Sequence, residues 1–225
     1  MNITTCIFDL DGVIVDTAKY HFQAWRRLAN ELGFDFAEKQ NEQLKGVSRM
    51  DSLKLILGWG NKHLSEAEMQ DWAARKNDWY LEFIDNMPAD EILPGVREFI
   101  AAIKQQGIRV VLGSASKNSV KVLKGIALYD AFDAIIDGTK TTKGKPDPQV
   151  FQMGAAAVGE EPAHCIVFED AQKGVEAAKV GGFWAIGVGS PHELKGADYH
   201  IQTFEGLTLD FLKQQLKPLE PGHAN

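Results

Sequence analysis

The chain opens MNITTCIFDLDGVIVDT (residues 1–17), and the reading of its middle decides the fold. Ile3 to Phe8 make a short apolar run with the length and composition of a buried strand. It ends against two carboxylates one residue apart, Asp9 and Asp11, and then Gly12. Like charges placed together repel unless a cation or a shared proton relieves them. The polar residues at the ends of the other strands therefore carry the question.

Working outward, IRVVLGS (108–114), FDAIID (132–137), HCIVFED (164–170) and FWAIGVG (183–189) read as further strands, and DYHIQ (198–202) as a short edge strand. Helical patterns separate them. Val96, Phe99, Ile100 and Ile103 recur at helical spacing and Gly107 closes that helix. Val120, Leu123 and Ile126, then PQVFQMGAAAVG (148–159), AQKGVEAAKVGG (171–182) and EGLTLDFLKQQL (205–216), supply the rest. This alternation predicts an α/β fold, a Rossmann-like parallel sheet with helices on both faces.

Residues 17–88 break the rhythm. His21, Ala24, Trp25, Leu28 and Leu32 recur at helical spacing, Leu53, Leu55 and Ile56 more loosely, and LSEAEMQDWAARKNDWYLEFI (64–84) opens with a capping-box pattern. No strand is evident there. The expected organisation is a core of residues 1–16 and 89–225 with an inserted α-helical cap, 17–88. Hinges are expected near Asp16–Thr17 and Pro88–Pro94, and the tail KPLEPGHAN is expected to fray.

In parallel α/β sheets ligands bind beyond the carboxyl ends of the strands. Asp9 and Asp11 follow the first strand; Ser114, Ala115 and Ser116 the second; Lys145 the third, across a loop; Glu169 and Asp170 the fourth. Four carboxylates on one rim imply a cation, and oxygen donors favour Mg²⁺. Phosphoryl transfer suits that set, because the protein's task there is to position groups and neutralise charge. A carboxylate can itself be the nucleophile.

DLDGVIVDT (9–17), GSAS (113–116), KPDP (145–148) and ED (169–170), in this order, resemble the four signature motifs of the haloacid dehalogenase-like superfamily. The helical insert resembles its small cap. The resemblance implies Asp9 as nucleophile and Asp11 as general acid/base, with Ser114 and Lys145 on the transferring phosphate. It also implies Asp9, Asp11 (through its main-chain carbonyl), Glu169 and Asp170 around Mg²⁺.

TAKYHFQAW (17–25), NEQLKGVSR (41–49), RKND (75–78) and SASKN (114–118) are similar to the β-phosphoglucomutase family within it. That implies interconversion of β-D-glucose 1-phosphate and β-D-glucose 6-phosphate, with β-D-glucose 1,6-bisphosphate as intermediate and activator. By the same resemblance His21 bonds to and orients Asp11, and Thr17 ties it to the hinge. Arg49 holds the second phosphate, while Lys45, Gly46 and Ser52 form that pocket. Ala115, Ser116, Lys117 and Asn118 touch phosphate or sugar, and Lys76 lies near the sugar. Lys143 competes with Lys145 for the phosphate, and Lys145 is the expected residue because it directly precedes a proline. The alternatives are a Mg-dependent sugar-phosphate phosphatase using the same core residues and a non-catalytic phosphosugar-binding module. Retention of both Asp9 and Asp11 disfavours the second.

The composition is that of a globular protein: 225 residues, 44% hydrophobic and 24% charged. A net charge of −7 argues against nucleic acid or an anionic membrane as partner. No apolar stretch approaches the roughly 20 residues needed to span a bilayer, and the start lacks the features of a signal peptide. A cytoplasmic monomer is expected, with Cys6 and Cys165 as buried reduced thiols.

Overall fold

The structure, a computed structural model, describes residues 2–88 and 91–216, so the tail 217–225 lies outside the described residues. Strand β1 (Thr5–Phe8) sits inside a six-stranded parallel sheet. Its partners are β2 (Arg109–Gly113), β3 (Ala134–Ile136), β4 (Cys165–Glu169), β5 (Trp184–Val188) and β6 (Tyr199–Ile201), in the order β3-β2-β1-β4-β5-β6. Every residue of β1 is buried, as required of a strand covered on both faces.

Alternation sends Cys6 and Phe8 to one face and Ile7 to the other. On the first face Phe8 stacks on Phe168 at 4.8 Å and meets Phe99 of helix α5 (Val96–Gln105) edge-on. Leu123 of α6 (Ser119–Gly125) and Leu212 of α9 (Leu209–Gln215) join that cluster. On the second, Ile7 packs with Phe151 of α7 (Gln149–Ala157) and Val175 of α8 (Gln172–Val180). Cys6 and Cys165 fall on opposite faces, so the sheet separates these two buried free thiols. Burial pushes the Cys165 thiol up to about 12. Both are protonated packing groups.

Between β1 and α5 the chain builds α1 (Ala18–Glu31), α2 (Glu38–Glu42), α3 (Arg49–Trp59) and α4 (Glu66–Asp85), with a core of their own. The capping box of α4 forms: Glu68 N–H donates to Ser65 Oγ at 3.3 Å, and Ser65 N–H donates to Glu68 Oε2 at 2.7 Å. Helix α2 is too short to show a period in the sequence; Ala37 N–H donates to the Gln40 side chain at its start. Of the residues that recur only loosely on α3, Leu53 and Ile56 are buried with Leu57, while Leu55 is 39% exposed, because the face of α3 that joins the core shared with α1 and α4 runs through 53, 56 and 57. Leu53→Ala is accordingly expected to cost about 2–5 kcal/mol and Leu55→Ala under about 1 kcal/mol in chemical unfolding.

The chain leaves and re-enters the sheet side by side. Val15 bridges to Ile92, Asp16 N–H donates to the Glu91 carbonyl at 3.0 Å, and Leu93 N–H donates to the Ile14 carbonyl at 2.9 Å. The two expected hinges are thus joined as one narrow ribbon. No helix among the described residues is long and apolar enough to cross a membrane.

Candidate active site

Register places the rim groups. Phe8 pairs with Phe168 on one side and Leu112 on the other, so Asp9 follows beside Glu169 and near Ser114. The order reverses at β1, with β2 on one side and β4 on the other, which makes this the crevice where α/β sheets bind ligands.

Asp9, Lys145 and Glu169 form a buried charge cluster. Lys145 Nζ donates to Asp9 Oδ1 at 2.7 Å and also to Glu169 Oε1, and its side chain is 1% exposed. Burial alone would lower the Lys145 pKa, but Asp9 and Glu169 more than offset it and hold the ammonium charged. Lys143 is paired with Asp147 at 3.1 Å and its side chain is 66% exposed, whereas Lys145 is buried between Asp9 and Glu169. Burial raises Glu169, and burial followed by the charges of Glu169 and Asp9 raises Asp170 well above the usual carboxylate range.

Oxygens of Asp9, Glu169 and Asp170 lie within 4.8 Å of one another. Three crowded carboxylates with a single buried lysine are chemically suited to a divalent cation, whose charge would reverse these shifts. A Cβ at Gly12 would fall on the Asp170 carboxylate, so this turn, at φ 81°, needs glycine twice over.

Asp11 faces the helical unit. Thr17 donates its hydroxyl hydrogen to Asp11 Oδ1, and His21 Nε2 stands 3.8 Å from the same oxygen. The expected His21–Asp11 hydrogen bond is therefore an approach only; Thr17 holds the carboxylate. Burial, and then the charge of Asp9, pushes the Asp11 carboxyl up to about 6. Behind His21, Lys76 Nζ lies 2.9 Å from Nδ1 and 4.3 Å from the Trp25 ring centroid, and Lys76 is 3% exposed. Burial lowers both His21 and Lys76 well below their usual values. The charges of Lys76 and Arg49 lower His21 further, and that of Arg49 lowers Lys76. Tyr80 completes the stack, its ring 4.2 Å from that of His21.

One cavity of about 600 Å³ joins these groups to the rest. Ser114, Ala115, Ser116, Lys117 and Asn118 line it from the core, and Lys45, Gly46, Arg49, Ser52 and Lys76 from the helices. Ser48 caps α3, its Oγ accepting from Asp51 N–H at 3.3 Å, and this fixes Arg49 as the first helical residue. Ser114 and Ser116 also order their own turn: Ser116 N–H donates to Ser114 Oγ at 3.1 Å and Asn118 N–H to Ser116 Oγ at 3.2 Å.

The helices are closed over the sheet. Lys45 Nζ is 3.6 Å from Asp170 Oδ2 on one side of the cavity, and Asn118 Nδ2 donates to Asn77 Oδ1 at 2.8 Å on the other. Gly46, at φ 68°, lets the loop come close; a Cβ there would stand 3.3 Å from that of Ala171.

Residues 3–182 match the family model of haloacid dehalogenase-like hydrolases. The chain belongs to that family. It is 41% identical over 211 residues to a β-phosphoglucomutase of Bacillus subtilis, covering 93% of each chain. It superposes on the crystal structure of a β-phosphoglucomutase from Clostridium difficile with a TM-score of 0.92 and 40% identity, covering 95% of this chain and 97% of that one. Hexitol phosphatase B of Escherichia coli is 30% identical over 191 residues, 84% of this chain and 85% of the relative. Within the haloacid dehalogenase-like family the chain is thus a homologue of β-phosphoglucomutases, and it also resembles sugar-phosphate phosphatases at lower identity than the Bacillus relative.

Three members of the site escaped sequence reasoning. Trp25 stood only in a helical pattern and Tyr80 only inside a helical run, and only the fold shows them packed around Lys76 and His21. Asn77 sat inside a quoted motif without a role, because its partner is 41 residues away. In this haloacid dehalogenase-like site Lys145 also has a structural consequence. Lys145→Met leaves buried carboxylates without their cation, and the expected loss is about 3–5 kcal/mol in divalent-free buffer. Thermal melts should show that loss, and added Mg²⁺ should recover part of it.

Proposed function

We propose that this protein interconverts β-D-glucose 1-phosphate and β-D-glucose 6-phosphate through a phospho-aspartate at Asp9. The observation that supports this reading is an arginine lining the same cavity as the carboxylate cluster, where it would form a second anion site. Arg49, at the capped N-terminus of α3, lines the same cavity as Asp9, with Lys45 and Ser52 beside it. A phosphatase of small esters needs one phosphate site. A bisphosphate that must turn around needs two.

In this reading residues 17–88 act as a cap domain on the core. Asp9 attacks phosphorus and the bond to the leaving oxygen breaks, while Lys145, 2.7 Å from Asp9 Oδ1, reduces the repulsion between carboxylate and phosphate. Ser114 steadies the transferring group. Mg²⁺ held by Asp9, Glu169, Asp170 and the Asp11 main-chain carbonyl would supply neutralisation of the phosphoryl oxygens. Asp11 protonates the leaving sugar oxygen in one half-reaction and takes the proton of the attacking hydroxyl in the other. One carboxyl, raised by burial, serves both tasks. Thr17 holds it for that work. His21, braced by Lys76 and Tyr80, stands against it. Ala115, Ser116, Lys117 and Asn118 bind the sugar and the core-side phosphate, and Gly46 lets the cap seal the cavity. β-D-Glucose 1,6-bisphosphate is the intermediate and also primes Asp9.

The test supplies Mg²⁺, β-glucose 1-phosphate and a trace of bisphosphate, then measures glucose 6-phosphate and free phosphate separately. Glucose 6-phosphate matching substrate loss supports the mutase. Free phosphate matching it, without glucose 6-phosphate, makes the protein a phosphatase.

A further inference from the structure

Glu91 lies on the return linker and takes no part in the chemistry above, yet it is well engaged. Its side chain is 11% exposed, accepts from Tyr20 O–H at 2.8 Å, and is ion-paired with Lys19. Its carbonyl accepts the Asp16 N–H at 3.0 Å. Residue 91 therefore grips the chain on both sides of Thr17: just before it through the backbone, and two and three residues after it through the carboxylate.

Thr17 is the residue whose hydroxyl holds Asp11, and its carbonyl starts α1 by accepting from Tyr20 and His21 N–H at 3.0 and 3.1 Å. The Tyr20 ring stacks on Phe83 of α4 at 6.1 Å, which carries the grip to a second cap helix. Lys19 is 46% exposed, so its pairing is screened and adds little. The half-buried Tyr20 hydrogen bond is the stronger arm.

We infer that Glu91 is a positioning residue: by gripping both flanks of Thr17 it holds Asp11 in register with the closed cap, and so favours a sugar hydroxyl over water as acceptor. This rests on the phosphomutase reading. Transfer to sugar needs Asp11, Thr17 and the cap pocket aligned together. Hydrolysis needs only Asp11 and a water molecule, which a loosened arrangement admits.

The experiment compares the parent with Glu91→Ala, Glu91→Gln and Tyr20→Phe. Glucose 6-phosphate and free phosphate are measured separately, alongside backbone hydrogen exchange at Asp16 and Leu93. Glu91→Ala is expected to lower kcat for glucose 6-phosphate about tenfold, to raise free phosphate per glucose 6-phosphate about fivefold, and to speed exchange at both amides. Tyr20→Phe should move the ratio the same way. Glu91→Gln, which keeps an acceptor for the Tyr20 hydroxyl, should restore most of it. Faster exchange with an unchanged product ratio would reduce Glu91 to a structural role, and unchanged exchange would remove the grip altogether. Failure of the phosphomutase reading is separate: it shows in the parent, as free phosphate without glucose 6-phosphate, and exchange still judges the grip.

Discussion

Asp9→Asn is expected to abolish turnover, lowering the rate of glucose 6-phosphate formation by about 10⁵-fold or more, the scale seen when a covalent nucleophile is removed. The neutral amide has nearly the same shape, so Lys145 and Glu169 keep their places and the fold should survive. The carboxylate supplies two things at once. In the proposed reaction it is the group that bonds to phosphorus, and it is one of three carboxylates whose oxygens cluster within 4.8 Å. Steady-state assays with Mg²⁺ check the loss, and mass spectrometry should find no phosphorylated form of the Asp9→Asn variant. Activity within tenfold of the parent would remove Asp9 from the mechanism.

Arg49→Ala is expected to lower glucose 6-phosphate formation by about 10²–10³-fold, because a charge-assisted contact to phosphate in an enclosed site is worth about 2–5 kcal/mol. Hydrolysis of p-nitrophenyl phosphate, which has no second phosphate, should change by less than about threefold. Arg49→Lys should fall between, since an ammonium keeps the charge but loses the forked geometry. The contrast between the two substrates is the informative part. Equal losses on both would mean that Arg49 supports the core site or the fold, and the second anion site would lose its basis.

Most of the sheet could be read directly because its strands are buried on both faces and stand as unbroken apolar runs, such as Cys6–Phe8 and Cys165–Phe168. The rim of the site came with it: a carboxylate directly after a strand has its position set by the ladder, and Asp9 beside Glu169 follows from register. The helical insert was harder. Leu55 matched the apolar pattern, yet which side of α3 meets α1 and α4 depends on how three helices cross, and spacing alone does not fix that.

Relations between distant residues were the least accessible. Lys76 bracing His21, Asn77 bonded to Asn118, and Glu91 reaching Tyr20 each span dozens of residues or join the inserted helices to the sheet unit. No local period or motif encodes them. The orientation of Asp11 shows the limit well. Both Thr17 and His21 lay in the quoted motifs, but only the geometry tells that Thr17 makes the hydrogen bond while His21 waits at 3.8 Å.

The most direct measurement follows the phosphoryl group itself. The protein would be labelled at Asp9 with ³²P from β-D-glucose 1,6-bisphosphate, freed of excess donor, and mixed with β-glucose 1-phosphate and Mg²⁺ in a single turnover. The expected result is label leaving Asp9 for the sugar, recovered in glucose 6-phosphate and its bisphosphate precursor and only marginally as free phosphate. Label recovered as inorganic phosphate at the same rate with and without the sugar would contradict the mutase.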